Sequence, residues 1–310
     1  MDLPDFPPIS TATLHAIVER HGLGASTFVR MPEVGIFNAI YRIGDHLILR
    51  VPRDHPVFIA SAHKEAIAVS AARAAGVRTP RIVVFDDACD LLPVPYTIYE
   101  RVEGETLGLL TLDPDQTPET WREVGRDLAL LHTGVAEEGP VAALECEHVP
   151  DPRSWPDELA AAGYFTALEA RWLSDWLDRL APAALAPVRR RFLHGDVQAT
   201  NIMVQAGTLD YRAVLDWGSA GWGDPAWDFA GMPLGAVPFL LEGHRAIAPL
   251  DGDDTAEARI LWRQLQLALY LLQREPQPGR AWAERPMAML LEIMRFLVQS
   301  PGHRWKQWLV

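Results

Sequence analysis

The 310-residue sequence predicts an α+β protein, in which a small antiparallel sheet near the N-terminus precedes a larger, mainly helical region. Two observations favour this fold class. Short apolar runs separated by turn residues lie before residue 102 and are typical of antiparallel strands, whereas apolar residues recur at helical spacing from residue 118 onward. The chain is also long enough to form two lobes with a substantial core.

The predicted sheet is built from short apolar runs that partly alternate. The predicted strands cover residues 28–31, 37–43, 46–51, 81–85 and 96–99. Turn-forming residues at 32–35 and 44–45 separate the first three runs, which therefore form a meander. A helix-forming run at residues 62–75, stopped by Gly76, lies between the third and fourth strands.

The helical region is predicted from the spacing of its apolar residues. Its helices cover residues 118–131, 157–180, 257–274 and 285–299. In the first of them, Trp121, Val124 and Leu128 fall on one face. All the tryptophans of the chain lie in this region, so we expect most of them in the core, with a sugar-stacking wall at Trp222 or Trp262 as the alternative.

Three polar side chains in the second half of the chain have the spacing of a phosphoryl-transfer site. The sequence HGDVQATN at residues 194–201 is followed by LDWG at 215–218. In protein kinases a catalytic-loop Asp accepts a hydroxyl proton, an Asn five residues later binds one metal ion, and the Asp of a DFG triplet binds metal as well. Asp196, Asn201 and Asp216 have this spacing. Either motif alone is typical of a turn or a helix cap, but together they predict Mg²⁺-dependent chemistry, since Mg²⁺ prefers hard oxygen ligands.

Around these residues the chain resembles the aminoglycoside phosphotransferase family, a branch of the kinase-like superfamily that also contains choline, homoserine and methylthioribose kinases. The family pattern is HGDxxxxN, an apolar strand that ends in ID[WF], and GDPxxD[LF]A. This sequence has VLDW at residues 214–217 and GDPAWDFA at 223–230. The resemblance spans most of the chain and implies a two-lobed protein-kinase-like fold. Residues 1–101 would form the nucleotide-binding lobe, and residues 102–310 the helical catalytic and substrate-binding lobe.

The resemblance also implies roles in the C-terminal lobe. Asp196 would be the general base, Asn201 and Asp216 the Mg²⁺ ligands, and His194 a residue that shapes the loop. Two further acids are expected to be structural rather than metal ligands. Asp224 has the position of a helix cap ahead of Pro225, and Asp228 would brace the loop through backbone hydrogen bonds.

In the N-terminal lobe the resemblance implies a phosphate site. Gly35 and Asn38 would cover the phosphates, and Arg50 stands where the family commonly has a phosphate-binding Lys. Arg offers a planar fork and a permanent charge, so the exchange is not automatically conservative. Glu65 on the predicted helix would pair with Arg50. The alternatives are a hairpin glycine at 35, a solvated strand arginine at 50 and a surface charge at 65.

The hinge between the lobes is expected at residues 100–103, just before Gly104. The backbone groups of Glu100 and Val102 would contact a purine base there, with Tyr99 closing the back of the pocket. This arrangement leaves ATP and GTP both open as the phosphoryl donor, and ATP is the commoner choice.

Composition limits the partners and the compartment. A net charge of −13 argues against nucleic-acid binding and suits a cationic acceptor. No apolar run of eighteen residues predicts a membrane span, and the first residues lack the pattern of a signal peptide. Cys89 and Cys146 have neither metal-ligand spacing nor a disulfide pattern, so a reducing cytoplasm is expected.

The expected function is Mg²⁺-dependent transfer of the γ-phosphoryl group of ATP or GTP to a hydroxyl of a small molecule. An antibiotic such as an aminoglycoside or macrolide is the leading acceptor, which would make the chain an antibiotic-resistance enzyme. Two alternatives stay open, namely a metabolic kinase for choline, homoserine or a sugar, and a non-catalytic nucleotide-binding pseudokinase, which the Arg50 replacement would suit. A protein kinase is disfavoured because no APE-like segment follows Asp216.

Overall fold

A five-stranded antiparallel sheet forms the centre of the N-terminal region in the structure, a computed structural model that describes residues 4–32, 37–147, 149–275, 285–299 and 302–309. Its strands are β1 (Phe28–Arg30), β2 (Asn38–Ile43), β3 (Leu47–Pro52), β4 (Ile82–Asp86) and β5 (Tyr96–Glu100). Their order is β1-β2-β3-β5-β4, and every neighbouring pair is antiparallel. The predicted meander and the two later strands are therefore confirmed.

Two helices accompany this sheet. Helix α1 (Thr11–Arg20), which the apolar pattern does not predict, is capped by Ser10, whose Oγ accepts a hydrogen bond of 3.0 Å from the N–H of Thr13. Helix α2 (Pro56–Ala74) begins well before the predicted start at residue 62, because His55 caps it and Pro56 occupies the first helical position.

Most of the remaining described helices lie in the C-terminal region. They are α3 (Pro118–Gly134), α4 (Trp155–Ala161), α5 (Ala167–Ala184), α6 (Val237–Arg245), α7 (Ala256–Leu272), α8 (Ala288–Val298) and α9 (His303–Lys306). The helices predicted at residues 118–131, 257–274 and 285–299 are confirmed as α3, α7 and α8. Helices α6 and α9 are missing from the sequence prediction.

The single helix predicted at residues 157–180 is wrong, because the chain forms α4 and α5 there instead. Gly163 adopts the left-handed conformation, with φ of 87°, and ends the first helix. Thr166 and Glu169 then form a capping box, in which the Glu169 carboxylate accepts the N–H of Thr166 at 2.8 Å. These local bonds start a new helix although the apolar spacing continues through the break.

Two small sheets hold the motif residues in place. One has the order β6 (Glu105–Thr106), β8 (Ile202–Val204), β9 (Tyr211–Val214), and the other pairs β7 (Arg191–Leu193) with β10 (Gly221–Gly223). Residues 194–201, called the HGD loop below, join β7 to β8. Residues 215–220, called the DWG loop, join β9 to β10. Because each loop lies between the same two sheets, the pairing of their strands brings the two loops together.

Two clusters of buried apolar side chains correspond to the two regions. One lies between α1 and the sheet and includes Ile17, Leu49 and Ile98. The other fills the helical region and also takes in Val69 of α2 and Tyr99 of β5. We therefore propose that the lobes divide between residues 101 and 102, with α2 packed into both. In the described part of the chain, no helix combines the length and apolarity that crossing a membrane requires.

Candidate active site

The HGD loop is folded tightly around Asp196. Gly195 has φ of 81° and lies so close to the DWG loop that a Cβ there would overlap the carbonyl oxygen of Ser219. The Oδ1 of Asp196 accepts a hydrogen bond of 2.5 Å from Nε2 of Gln198, and its backbone carbonyl accepts one of 2.9 Å from Nδ2 of Asn201. The carboxylate of Asp196 is therefore fixed in orientation while it stays only partly buried.

Asn201 and Asp216 are brought together by the pairing of β8 with β9. Ile202 pairs with Val214, and the N–H of Leu215 donates to the carbonyl of Asn201 at 2.8 Å. Asp216 has φ of 68°, an unusual backbone conformation for a residue with a side chain, and such strain clusters at functional sites. Its side chain is 41% exposed. The structure thus places an amide and a carboxylate side by side near Asp196.

These side chains fit a magnesium ion better than a metal that needs a closed protein site. The Nδ2 of Asn201 is bonded to Asp196, but its Oδ1 has no hydrogen-bond partner within the described residues. Those residues also contain no group of three or more His, Cys, Asp or Glu side chains that could enclose a metal. Mg²⁺ is usually held by one or two carboxylates together with substrate phosphates and water. Asp216 and Asn201 supply hard oxygen atoms of that kind.

Arg50 connects the sheet of the N-terminal region to Asp216. Its Nη1 donates to Oε1 of Glu65 at 2.5 Å, and its Nη2 donates to Oδ1 of Asp216 at 3.2 Å. The predicted pairing of Arg50 with Glu65 is confirmed. Burial raises the pKa of the Glu65 carboxyl, although the Arg50 cation opposes this shift. The Nε of Arg50 is buried without a partner among the described residues, so the N–H at this position is unused.

Asp228 holds the HGD loop through hydrogen bonds to its backbone, as the resemblance implied. Its two carboxylate oxygens accept the N–H groups of His194 at 2.9 Å and Gly195 at 2.8 Å. Burial opposes ionisation of Asp228, but hydrogen bonds from His132 and Gly195 hold the pKa of its carboxyl below the ordinary value. His194 is fully buried, donates from Nε2 to the carbonyl of Leu215 at 3.0 Å and accepts from the N–H of Asp196. Burial lowers the pKa of His194, which fits a neutral, loop-shaping residue.

Asp224 has the structural position that the sequence indicates. It caps the short 3-10 helix Pro225–Phe229, where its Oδ1 accepts the N–H of Ala226 at 2.9 Å. The same oxygen forms an ion pair with Arg259, which is only 1% exposed. Arg259 also donates to the carbonyl of Asp251 at 2.6 Å. Asp224 is therefore occupied by protein partners.

The proposed nucleotide contacts lie along β2, β5 and the segment that follows β5. Asn38 opens β2 opposite Pro52, whereas Gly35 lies outside the described residues. The N–H of Glu100 is used by the carbonyl of Arg81 at 2.9 Å. The N–H of Val102 has no partner in the described part of the chain. Val102 therefore retains the kind of free donor that a purine base needs.

Two open clefts border the hinge but do not contain the motif residues. One, of about 380 Å³, is lined by Arg73, Arg78, Val102 and Arg212 among others. The second, of about 610 Å³, shares Val102 and Arg212 with it. Neither cleft includes Asp196, Asn201 or Asp216, and Val102 is the one proposed nucleotide contact that lines them.

The tryptophans considered as a sugar-stacking wall are core residues. Trp222 is 5% exposed, packs edge-on against Phe192 and donates from Nε1 to the carbonyl of Val141 at 2.9 Å. Trp262 is 6% exposed. Neither side chain presents a free face to a ligand, so the core interpretation of both is confirmed.

Two features of the site are absent from the sequence analysis. The contact of Gln198 with Asp196 could have been suspected, because the two residues are two positions apart in one short loop. The contact of Asp228 with His132, and that of His132 with His244, could not, since they join residues from three distant segments. Only the HGD and GDP motifs signalled that Asp228 would lie near the loop.

The chain matches a known protein family and is similar in fold to several solved structures. Residues 32–237 match the phosphotransferase enzyme family. The structure is similar to aminoglycoside 2'-phosphotransferase-IIIa in its GDP complex, with a TM-score of 0.65, 14% identity and coverage of 94% of this chain and 100% of that chain. It is also similar to a choline/ethanolamine kinase family protein from Mesorhizobium loti, with a TM-score of 0.62, 17% identity and coverage of 96% of each chain.

A third similar structure is the ternary complex of APH(2'')-IIa with streptomycin and ATP. Its TM-score is 0.56 at 13% identity, with coverage of 96% of this chain and 99% of that chain. At such low sequence identities the structural similarity supports the fold alone. The predicted α+β fold, with an N-terminal antiparallel sheet and a helical C-terminal part of kinase-like type, is confirmed.

Proposed function

Since the chain belongs to the phosphotransferase enzyme family, we propose that it transfers the γ-phosphoryl group of ATP or GTP to a hydroxyl of a small cationic molecule, with an antibiotic such as an aminoglycoside or macrolide as the leading acceptor. The observation that carries the proposal is the convergence of Asp196, Asn201 and Asp216 on two adjoining loops, with Arg50 reaching Asp216 from the other lobe.

In this proposal Asp196 accepts the proton of the attacking hydroxyl. Its carboxylate is held by Gln198 on one oxygen and lies within 3.4 Å of Nδ2 of Asn201 on the other, so it needs little reorganisation when the acceptor arrives. Proton transfer to a positioned base contributes about 100-fold or more to the rate. The rest of the acceleration would come from positioning and charge stabilisation, as in other phosphoryl transfers.

The donor nucleotide would lie between the lobes. Arg50 has an unused donor for a phosphate oxygen, and Glu65 fixes the position of its guanidinium. Asn38 would lie above the phosphates, and Glu100 and Val102 beside the base. Magnesium bound by Asn201 and Asp216 would offset charge on the β- and γ-phosphates.

The acceptor would be recognised by the segment that follows α3. This segment adjoins the site, because the N–H of Trp222 on β10 donates to the carbonyl of Leu144 at 3.0 Å. Acidic side chains between residues 137 and 158 and at residues 251–254 are candidates for attracting amino groups. Four of them are paired with arginine, namely Glu145, Asp151, Asp251 and Asp253. Six others make no direct ion pair within the described residues, namely Glu137, Glu138, Glu147, Asp157, Glu158 and Asp254. These six side chains are the proposed source of attraction for a cationic acceptor.

A metabolic kinase is the second candidate, and the structural likeness to a choline/ethanolamine kinase family protein favours it. A choline-type acceptor would need an aromatic cage for its quaternary ammonium group. Trp222 and Trp262 are not candidates for this cage, because both are buried in the core.

The proposal is tested by measuring nucleoside diphosphate release from ATP and from GTP with Mg²⁺ over a panel of acceptors. The panel holds aminoglycosides, macrolides, hygromycin-like antibiotics, choline, homoserine and sugars, and Asp196→Ala is run beside the wild type. Acceptor-dependent release that the variant loses supports the proposal and identifies the acceptor class. Nucleotide binding without release in any acceptor reaction would instead favour a pseudokinase.

A further inference from the structure

A chain of buried hydrogen bonds runs from α6 through α3 to the HGD loop. His244 on α6 contacts the carbonyl of Ala248 through Nδ1 at 2.9 Å and Nδ1 of His132 through Nε2 at 3.1 Å. His132 on α3 contacts Oδ2 of Asp228 through Nε2 at 3.0 Å. The same oxygen accepts the N–H of His194. One continuous path therefore links a helix remote in sequence to the loop that carries Asp196.

The two histidines meet because α3 and α6 pack with their backbones in contact. A Cβ at Gly125 would overlap the carbonyl oxygen of Leu240, and a Cβ at Gly243 would overlap that of Arg122. These glycines let the helices approach more closely than side chains would permit. His132 and His244 are consequently only 2% and 1% exposed. Their ring nitrogens form hydrogen bonds with protein atoms rather than with water.

The hydrogen-bond partners at the two ends of this chain fix the number of protons within it. Asp228 is a carboxylate that already accepts two backbone N–H groups, so Nε2 of His132 must donate to it. The carbonyl of Ala248 can only accept, so Nδ1 of His244 must donate as well. The facing pair, Nδ1 of His132 and Nε2 of His244, needs one proton between them, since two lone pairs at 3.1 Å would repel.

Three protons are thus required on four ring nitrogens, whereas two neutral imidazoles carry only two. We propose that His132 is a buried imidazolium that donates to both Asp228 and His244, and that His244, as its neutral acceptor, is a positioning residue for the HGD loop. The consequence for phosphoryl transfer rests on the proposed function. The additional proton itself follows from the hydrogen-bond geometry.

The surrounding charges agree with this distribution. Burial and the neighbouring His132 lower the pKa of His244 to about 3, so the charge belongs on His132 rather than on His244. Asp228 faces His132 as its counter-charge, and His194 donates its backbone N–H to the same carboxylate oxygen. Arg245 and Asp253 act on His244 from the end of α6, but they are paired with each other at 2.9 Å. The single carboxylate of Asp228 therefore balances the single imidazolium.

The direct test is nuclear magnetic resonance of ¹⁵N-labelled histidine side chains in the intact protein at neutral pH. The expected result is that both ring nitrogens of His132 are protonated and that His244 is neutral with its proton on Nδ1. Assignment uses His132→Gln and His244→Gln. A wild-type His132 with only one protonated ring nitrogen overturns the inference.

A matched pair of variants tests the positioning role. His244→Gln keeps an acceptor toward His132 and a donor toward Ala248, whereas His244→Leu removes both. In His244→Leu we expect His132 to lose one ring proton. We expect kcat to fall about 10-fold while KM for nucleotide is unchanged. The alkaline limb of the pH–activity profile should move to lower pH. His244→Gln should restore both the proton and the rate. Equal kcat and equal pH profiles in the two variants overturn the positioning role. If His244→Leu does not fold, the wild-type spectrum and the His244→Gln variant decide whether the inference stands.

The two proposals fail in different ways. An inactive protein in which His132 is doubly protonated would overturn the phosphotransferase proposal and support the imidazolium state of His132. An active protein in which His132 is neutral would overturn only the imidazolium state.

Discussion

Three residues of the proposed site each have a polar atom without a partner. The Oδ1 of Asn201, the Nε of Arg50 and the N–H of Val102 have no hydrogen-bond partner within the described residues. Polar groups in a folded protein are usually paired, so such atoms require an explanation. Under the proposed function, a hard cation would bind Asn201, a phosphate would bind Arg50 and a purine base would bind Val102.

The role of Arg50 can be separated from its structural effect. Arg50→Met should destabilise the protein by about 3 kcal/mol, because it leaves the buried Glu65 carboxylate without its cation. The double variant Arg50→Met, Glu65→Met should recover most of that loss, since an apolar pair replaces the ion pair. Both variants should bind nucleotide more weakly. Urea unfolding and nucleotide titration check this, and wild-type nucleotide affinity in the double variant would contradict a phosphate role.

Two aspartates of the motif region should respond differently to removal of their charge. Asp216→Asn should change stability little, because its side chain is 41% exposed, but should raise the Mg²⁺ concentration needed for activity. Asp224→Asn should cost about 3 kcal/mol of stability by leaving the buried Arg259 unpaired, with no change in the Mg²⁺ requirement. Thermal unfolding and Mg²⁺ titration of activity distinguish them. A raised Mg²⁺ requirement in Asp224→Asn would show that the structural assignment is wrong.

At the level of whole elements, the contact between α3 and α6 determines where Asp228 and its histidines lie. Gly243→Ala should destabilise the protein by about 2 kcal/mol, because the new Cβ would overlap the carbonyl of Arg122. An alanine in a helix would otherwise be favourable. Gly302→Ala is the matched control, since its Cβ would meet nothing within 4 Å. Equal melting temperatures for the two variants would contradict the close helix contact.

Elements with their own local signals are the ones that the sequence predicts well. The strands of the N-terminal sheet have apolar runs bounded by turn residues, and α3 and α7 have a continuous apolar face, so their bounds follow closely. Helix α6 is short, and its position depends on Gly125 and Gly243 meeting a partner helix, which spacing along one chain cannot express. The break between α4 and α5 is set by a capping box inside a continuous apolar pattern.

The same distinction holds for the site. Motif spacing predicts that Asp196, Asn201 and Asp216 belong together, because one loop and one hairpin carry them. The path through His132 and His244 depends on tertiary packing, so the sequence contains no local signal for it.

Across the whole molecule, buried histidines should set the acid limit of stability. Burial lowers the pKa of both His194 and His244 below the ordinary 6.5, and that of His244 to about 3. Such a histidine is neutral in the folded protein and binds a proton on unfolding, so the stability that depends on it is lost as pH falls below about 6.5. Each group contributes up to about 1.4 kcal/mol per pH unit.

His244→Gln should therefore make the decline in unfolding free energy between neutral and mildly acidic pH shallower by about one proton. Urea unfolding across that range measures the slope. The lowered pKa of Asp228 acts at more acidic pH, below its ordinary value of 3.8, and does not affect this range. An unchanged slope in His244→Gln would mean that His244 titrates alike in the folded and unfolded chain.

The central claim is that Asp196 is the base of a phosphoryl-transfer site that Asn201, Asp216 and Arg50 complete. Its most direct test compares wild type with Asp196→Asn in acceptor-dependent release of nucleoside diphosphate, beside the nucleotide-induced shift in melting temperature. The account predicts that Asp196→Asn loses about 100-fold or more in turnover while the nucleotide shift stays as in the wild type. Turnover by Asp196→Asn at the wild-type rate would contradict it.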